Sequence, residues 1–332
     1  MSTLKFRNSK MKTVGFSILI GFFTVFLISK IFLSEDDSGV GDEIPEVGYI
    51  HEVRDIKDIQ MSILQTETVT RLSEKNIQSV FSCLSFNFQK ALHGAQKGLF
   101  DQVYKTVDKL VNSCSQELMK ILPLMEIRNM DEVKHFLPPI QHESCNIVTL
   151  GIGRDVKAEL ELKAKYPHCT FLGVDPDEEV SGRMFKNDLG GLFVKGAVGA
   201  EEGEFNASVI NKENVGYHQE TLRHMSFQNL LDEYNNNRPI DLLLMDVEGS
   251  EFGLLPYIIN NPGRIPPICQ MNVELHFVHN YPPMGNNILD TLYRISNEEK
   301  FLMIYAQKVG PFYRMFWINV TDPRCHRTYI SN

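Results

Sequence analysis

The chain has 332 residues, 43% of them hydrophobic, with 33 Lys and Arg against 42 Asp and Glu, for a net charge of −9. That is enough apolar chain to bury one large domain with accessories. The acidic balance excludes a basic nucleic-acid surface and selects no other partner.

The first feature along the chain is Val14–Leu33, VGFSILIGFFTVFLISKIFL. At about 20 residues it matches the thickness of a bilayer core. Lys30, near its end, can snorkel to the interface. Lys5, Arg7, Lys10 and Lys12 precede the run, and Glu35, Asp36 and Asp37 follow it. The positive-inside rule then predicts a cytosolic tail over 1–13, a transmembrane signal anchor over 14–33, and everything later on the luminal side. A cleaved signal peptide is the alternative, but its apolar region would be shorter and followed by a small-residue cleavage site. The expected protein is therefore a single-pass type II membrane protein of the Golgi or endoplasmic reticulum.

Two further features agree with a luminal location. Asn206-Ala-Ser208 and Asn319-Val-Thr321 are N-glycosylation sequons. All six cysteines lie beyond the anchor, where an oxidising compartment permits disulfides, although spacing leaves their pairing open. The absence of C-x-x-C removes the zinc-ribbon and thioredoxin readings, and no residue set is assigned to a metal.

Residues 34–53 are acidic, contain Gly and Pro, and read as a stem. A helical region is predicted over 54–137. Within it Val80, Leu84, Phe88 and Leu92 share one helical face, as do Leu99, Val103, Val107 and Val111, with Gly94 and Gly98 interrupting the two stretches. Pro138-Pro139 marks a boundary.

From 138 to 332 short apolar runs alternate with helical segments, the pattern of a mostly parallel sheet with crossover helices. The predicted strands are Ile147–Leu150, Thr170–Val174, Leu192–Val194 with Ala197-Val198, Leu242–Met245 and Gln270–Leu275. Phe301–Ala306 and Met315–Asn319 follow a helix near Ile288–Ile295 and are expected as an antiparallel pair at the sheet edge. The fold class is α/β, Rossmann-like. No internal repeat is present.

The chemistry gathers at strand ends. NIVTLGIGRD places Gly151 and Gly153 at a strand-to-helix turn, where a ligand can approach backbone closely. TFLGVDPD ends the next strand at Asp175, the position of an acid that accepts ribose hydroxyls. Val156 stands where the third glycine of a dinucleotide fingerprint would be, which disfavours NAD and leaves S-adenosylmethionine, a nucleoside ligand without phosphate.

IDLLLMDVEGSEFGLL (Ile240–Leu255) then raises the question of why a buried apolar run should end in Asp246, Glu248 and Glu251. A buried carboxylate without a partner is costly, so acids placed there point to a ligand. Asp246 and Glu248 are candidates for a base or for holding a substrate hydroxyl. Glu251 is either a helix-capping acid or a substrate contact. Glu274 and His276, at the end of the next strand, can lie beside them. His279, in a Pro-rich loop, is a weaker candidate.

The Ile240–Leu255 segment resembles the signature of FkbM-type S-adenosylmethionine-dependent methyltransferases. RHMSFQNLLDEYNNNRPID upstream, GAVGAEEGE (Gly196–Glu204) and NVELHF (Asn272–Phe277) resemble other parts of that family in the same order. The resemblance spans roughly 145–319. It implies a class I methyltransferase fold over 138–332 and S-adenosylmethionine as cofactor, bound by Gly151, Gly153, Asp155, Asp175, Ala197 and Val198. It also implies O-methylation of a small molecule or glycan. Thr149 and Asp155 depart from the family pattern, standing where an acid and a third glycine are common. Two other readings remain open: a type II membrane glycosyltransferase holding a metal with Asp175-Pro176-Asp177, a D-x-D tripeptide, and a methyltransferase fold without catalysis.

Overall fold

The predicted apolar runs at 147–150, 170–174 and 242–245 become strands whose side chains alternate between two cores, and this is why those runs lack polar alternation. In the structure, a computed structural model, residues 70–141, 145–210, 217–280 and 284–331 are described, with backbone alone at 205–210, 217–219, 284 and 286. The expected tail, membrane span, stem and first part of the helical region lie outside the described residues. Among the described residues no helix is long and apolar enough to cross a membrane.

The helical region opens with α1, Glu74–Gly94, whose N-cap Ser73 accepts a hydrogen bond from the Asn76 amide. Ile77, Val80, Phe81, Leu84, Phe88 and Ala91 form its buried face. The chain breaks at Ala95–Leu99, where Gly98 takes φ +83°, then forms a one-turn helix, Phe100–Tyr104, and α2, Val107–Ile121.

The helical expectation fails after α2. Met125–Arg128 (β1) and Val133–Phe136 (β2) form an antiparallel hairpin. Its second strand is held by side-chain amides that imitate strand pairing. The His135 amide donates to Asn272 Oδ1 at 2.8 Å, and Asn272 Nδ2 donates back to the His135 carbonyl at 2.8 Å. Gln270 makes the same reciprocal pair with Leu137, at 2.7 and 3.1 Å.

The main sheet consists of β3 (Asn146–Leu150), β4 (Thr170–Asp175), β5 (Leu192–Lys195), β9 (Leu242–Met245), β10 (Gln270–Leu275), β11 (Phe301–Val309) and β12 (Phe312–Asn319). Their order across the sheet is β11-β12-β10-β9-β3-β4-β5. The strands from β10 to β5 pair in parallel, and β12 lies antiparallel between β10 and β11, as the edge pair predicts. Leu243 stands opposite Val148 on one side and Met271 on the other. Val148, Leu150, Leu243 and Met245 face the core that contains α1 and α2, whereas Ile147, Phe171, Leu242 and Leu244 face a second core closed by Ile127 and Phe136 of the hairpin. The helical region and the sheet therefore share one core and do not form separate bodies.

The crossover helices include α3 (Lys157–Lys165), α4 (Phe227–Glu233), α5 (Glu251–Asn260) and α6 (Ile288–Asn297). Between β5 and α4 the chain forms a second sheet: Ala197-Val198, expected to continue the strand at Leu192–Val194, instead lies in β6 (Ala197–Gly199), which joins the unexpected strands β7 (Gly203–Ile210) and β8 (Tyr217–Ser226) in the order β6-β8-β7.

All six cysteines pair, as Cys83–Cys114, Cys145–Cys169 and Cys269–Cys325. Cys145, Cys169 and Cys269 each immediately precede a strand, β3, β4 and β10, so two bridges lie at the edge where the parallel strands begin. Asp241, at the start of β9, occupies the same edge. It is buried, accepts two contacts from Arg324 Nη2 at 2.9 and 3.0 Å and one from the Tyr329 hydroxyl at 2.7 Å, and also accepts from the Asn146 amide.

Candidate active site

Strand order reverses at β3, with β4 and β5 to one side and β9 and β10 to the other. A crevice opens at such a point beyond the C-terminal strand ends. The cleft found there encloses about 780 Å³, counting the space that opens to solvent, and Gly151, Gly153, Asp175, Ala197, Val198, Asp246 and Glu248 all line it.

Gly151 and Gly153 both have left-handed backbone, at φ +79° and +64°. A Cβ on Gly151 would sit 1.7 Å from the Asp246 carbonyl oxygen, whereas one on Gly153 would meet nothing within 4 Å. The first glycine thus lets β3 pass the end of β9, and the second leaves open space for a ligand.

Asp175 ends β4 beneath this turn. Its Oδ2 accepts from the Ile152 and Gly153 amides at 2.8 and 3.1 Å, and its Oδ1 accepts from the Asp177 amide at 2.7 Å. Burial pushes its carboxyl above the usual range, against the lowering effect of these three amides. The acid shapes the glycine turn as well as lining the cleft. Asp177 is held by Arg154 Nε at 2.6 Å and accepts from the Val180 amide at 3.0 Å. With Asp175 committed to amides and Asp177 to Arg154, the D-x-D tripeptide offers no free carboxylate pair for a metal.

The residues present fit S-adenosylmethionine. The open space at Gly153 suits a nucleoside edge, and the acids Asp175, Asp246 and Glu248 suit a cationic ligand. A nucleotide diphosphate would instead need cations, and Arg154, which lines the cleft, is paired with Asp177.

The acids following β9 converge on His276. Its Nε2 lies 3.3 Å from Glu248 Oε2, 3.5 Å from Asp246 Oδ1 and 3.8 Å from Glu274 Oε1. Its Nδ1 lies 3.0 Å from Glu251 Oε1, which also accepts the His276 amide at 2.8 Å. Glu251 Oε2 accepts the Gly249 amide at 2.8 Å. Burial alone would lower the His276 pKa, but Glu251, Glu248 and Asp246 outweigh it and push it up to about 12. Burial and the nearby Glu274 push Asp246 up to about 7, against His276 and Lys134. Glu248 reaches this place through left-handed backbone at φ +50°.

Several sequence expectations are corrected. Glu251 is fully buried and off the cleft lining, so it is no substrate contact: it caps α5 by accepting the Gly249 amide and also positions His276. Glu274 is buried and bound to Arg314 Nε at 2.6 Å, behind the cleft. Asp155 does not line the cleft, because it accepts the Met130 amide at 2.7 Å and ties the hairpin turn to the glycine turn. His276 lies beside the acids as expected but does not line the cleft, while His279 contacts Asp101 at 2.7 Å on the surface. Asn319 is fully buried, with Nδ2 donating to the Ile268 carbonyl at 3.0 Å and Oδ1 accepting from the Thr321 and Asp322 amides, so a glycan has no room there. The Asn206 side chain lies outside the described residues. Sequence reasoning missed Leu222 and His224 of β8 and Ser181, which also line the cleft. A strand reading of YHQETLRHMS, with its alternating Leu222 and His224, was the available signal.

The family model described as Methyltransferase FkbM domain matches residues 93–301, well over half of the chain. No curated protein matches the sequence. Among solved structures, the METTL16 MTase domain is 14% identical with a TM-score of 0.33, over 55% of this chain and 62% of that one. Aeropyrum pernix fibrillarin, in complex with natively bound S-adenosyl-L-methionine, is 11% identical with a TM-score of 0.32, over 53% and 67%. The Methanococcus jannaschii fibrillarin pre-rRNA processing protein is 10% identical with a TM-score of 0.35, over 59% and 83%.

Proposed function

The chain belongs to the FkbM methyltransferase family, whose cofactor is S-adenosylmethionine, and from that premise we propose that it methylates an oxygen of a small molecule or glycan in the lumen of the secretory pathway. The observation that carries the reading is the pair of carboxylates, Asp246 and Glu248, on the floor of the cleft that the glycine turn opens. A hydroxyl acceptor must be held and must lose its proton, and two acids at one spot serve both needs.

When bound, the cofactor supplies a methyl group on a cationic sulfonium. Gly151 and Gly153 would admit it, Asp175 would line its ribose side, and Ala197 and Val198 would pack beside it. Asp246 and Glu248 would receive the acceptor hydroxyl and its proton. Glu251 holds the His276 ring against both acids, which fixes where the acceptor oxygen sits. Positioning of this kind supplies a large part of the rate in a displacement reaction.

A luminal location is supported by the three disulfides, which persist in oxidising compartments. The apolar run at 14–33 is the proposed anchor, and Asn206 is the sequon proposed to carry a glycan.

The test incubates the purified full-length chain with methyl-labelled S-adenosylmethionine and paired acceptors that differ only in bearing a hydroxyl or an amine. The expected product is a base-stable methyl ether, with the rate falling about 10²–10⁴-fold in Asp246→Asn. Labelling of the amine instead, or equal rates for the variant and wild type, would overturn the reading. Location is read from the glycosidase-sensitive mobility of the expressed protein, which Asn206→Gln should abolish.

A further inference from the structure

We propose that Asp246, Glu248 and His276 form a site for one divalent transition-metal ion, of the Mn²⁺ or Zn²⁺ kind, at the floor of the cleft. One carboxylate oxygen from each acid and a ring nitrogen of His276 all lie within 4.8 Å of one another. A tetrahedral ion with bonds of about 2.0–2.2 Å separates its ligands by about 3.3–3.6 Å. The separations from His276 Nε2 are 3.3 Å to Glu248 Oε2 and 3.5 Å to Asp246 Oδ1. These two separations match the edges of a coordination shell.

Two independent observations point the same way. Asp246 Oδ1 is enclosed yet accepts no hydrogen bond, an arrangement that leaves a buried acceptor unsatisfied. His276 is 5% exposed in its side chain, and the buried carboxylate of Glu251 takes its Nδ1 at 3.0 Å. A carboxylate behind the far nitrogen orients a metal-binding histidine and presents the near one to the ion. The other cations at this end of the sheet are engaged elsewhere, Arg314 with Glu274 at 2.6 Å and Lys134 with Glu132, and the ion would replace the proton that the acids hold on His276 Nε2, which passes to solvent.

Asp246 and Glu248 line the cleft, so an ion between them has its remaining positions open to it. Three protein ligands with an open position is the pattern of a catalytic rather than a structural site. There the ion would bind the acceptor hydroxyl oxygen and lower its pKa, the proton passing to the oxygen of Asp246 or Glu248 that the ion leaves free. Only this last role rests on the O-methylation reading, because ion binding does not require it.

The experiment uses the full-length chain, stripped with chelator and titrated with Mn²⁺ by electron paramagnetic resonance and with Zn²⁺ by calorimetry. S-adenosylhomocysteine is titrated in parallel. The expected result is one ion per chain, with affinity falling about tenfold or more in His276→Gln and in Glu248→Gln while both variants keep the wild-type circular dichroism and unfold cooperatively. Should His276→Gln fail to unfold cooperatively, Glu248→Gln carries the comparison alone. Absence of saturable binding of either ion, or binding that survives both substitutions, would overturn the site. S-adenosylhomocysteine binding without ion binding overturns the site and leaves methyl transfer standing. Ion binding without S-adenosylhomocysteine binding keeps the site and overturns methyl transfer.

Discussion

Replacing Gly151 by Ala tests the geometry that joins the glycine turn to the acids. The residue sits at φ +79°, and an added Cβ would lie 1.7 Å from the Asp246 carbonyl oxygen, where real contacts do not fall under 3.0 Å. Left-handed backbone costs a residue with a Cβ about 1–2 kcal/mol, and forcing extra volume into packed structure adds about 1–3 kcal/mol. The end of β9 must also retreat by more than about 1 Å, a misplacement that can cost about 10²-fold in rate. Gly153→Ala is the matched control: its φ is +64° but its Cβ meets nothing within 4 Å, so it incurs the backbone cost alone. Thermal unfolding should show Gly151→Ala lower than wild type by about 2–5 kcal/mol and Gly153→Ala by about 1–2 kcal/mol. In methyl transfer, Gly151→Ala should lose about 10²-fold. A Gly151→Ala protein that melts like Gly153→Ala would refute the close approach of the two strands.

Arg324→Leu removes the cation from buried Asp241 and should lower unfolding free energy in urea by about 3 kcal/mol, the lower end for a broken buried pair, because Arg324 is partly exposed. Replacing Cys269 and Cys325 together by Ser reopens a bridge spanning 56 positions, and calorimetry should show a loss of about 4 kcal/mol. Burial raises the Glu159 carboxyl, while Lys134 and the Thr149 hydroxyl, at 2.9 Å, act against it. An acid whose pKa is raised by folding contributes stability below its unfolded value and loses it as pH rises through the folded one. The stability of Glu159→Gln relative to wild type should therefore improve from pH 4 to pH 8 in paired melting curves. A constant difference would remove the proposed burial effect.

The parallel strands and the cleft were legible because their signals are local. An apolar run ending in glycine or an acid predicts both a strand and what stands at its end, so Gly151, Gly153, Asp175, Asp246 and Glu248 were found together. The hairpin at 125–136 was not, because Asn272 and Gln270, well over a hundred residues away, hold its second strand in place. Asp155 was read as a ligand contact for the same reason: its partner is the Met130 amide, which no spacing reveals. The sequon at Asn319 is a three-residue pattern, whereas the burial of that residue follows from β12 lying between β10 and β11. The capping of α5 by Glu251 was legible, but not its hold on His276, which is supplied by a different strand.

The two bridges and the Asp241 network all grip the edge where the parallel strands begin, and the cleft lies at the opposite edge. The protein thus resembles a vise, closed at its base and adjustable at its jaws. The second sheet, whose Leu222 and His224 line the cleft, can change composition while the clamps keep the parallel strands in register. A lineage can then exchange one acceptor for another by rewriting that sheet, with the cost to folding carried by a part of the molecule that the new acceptor never touches.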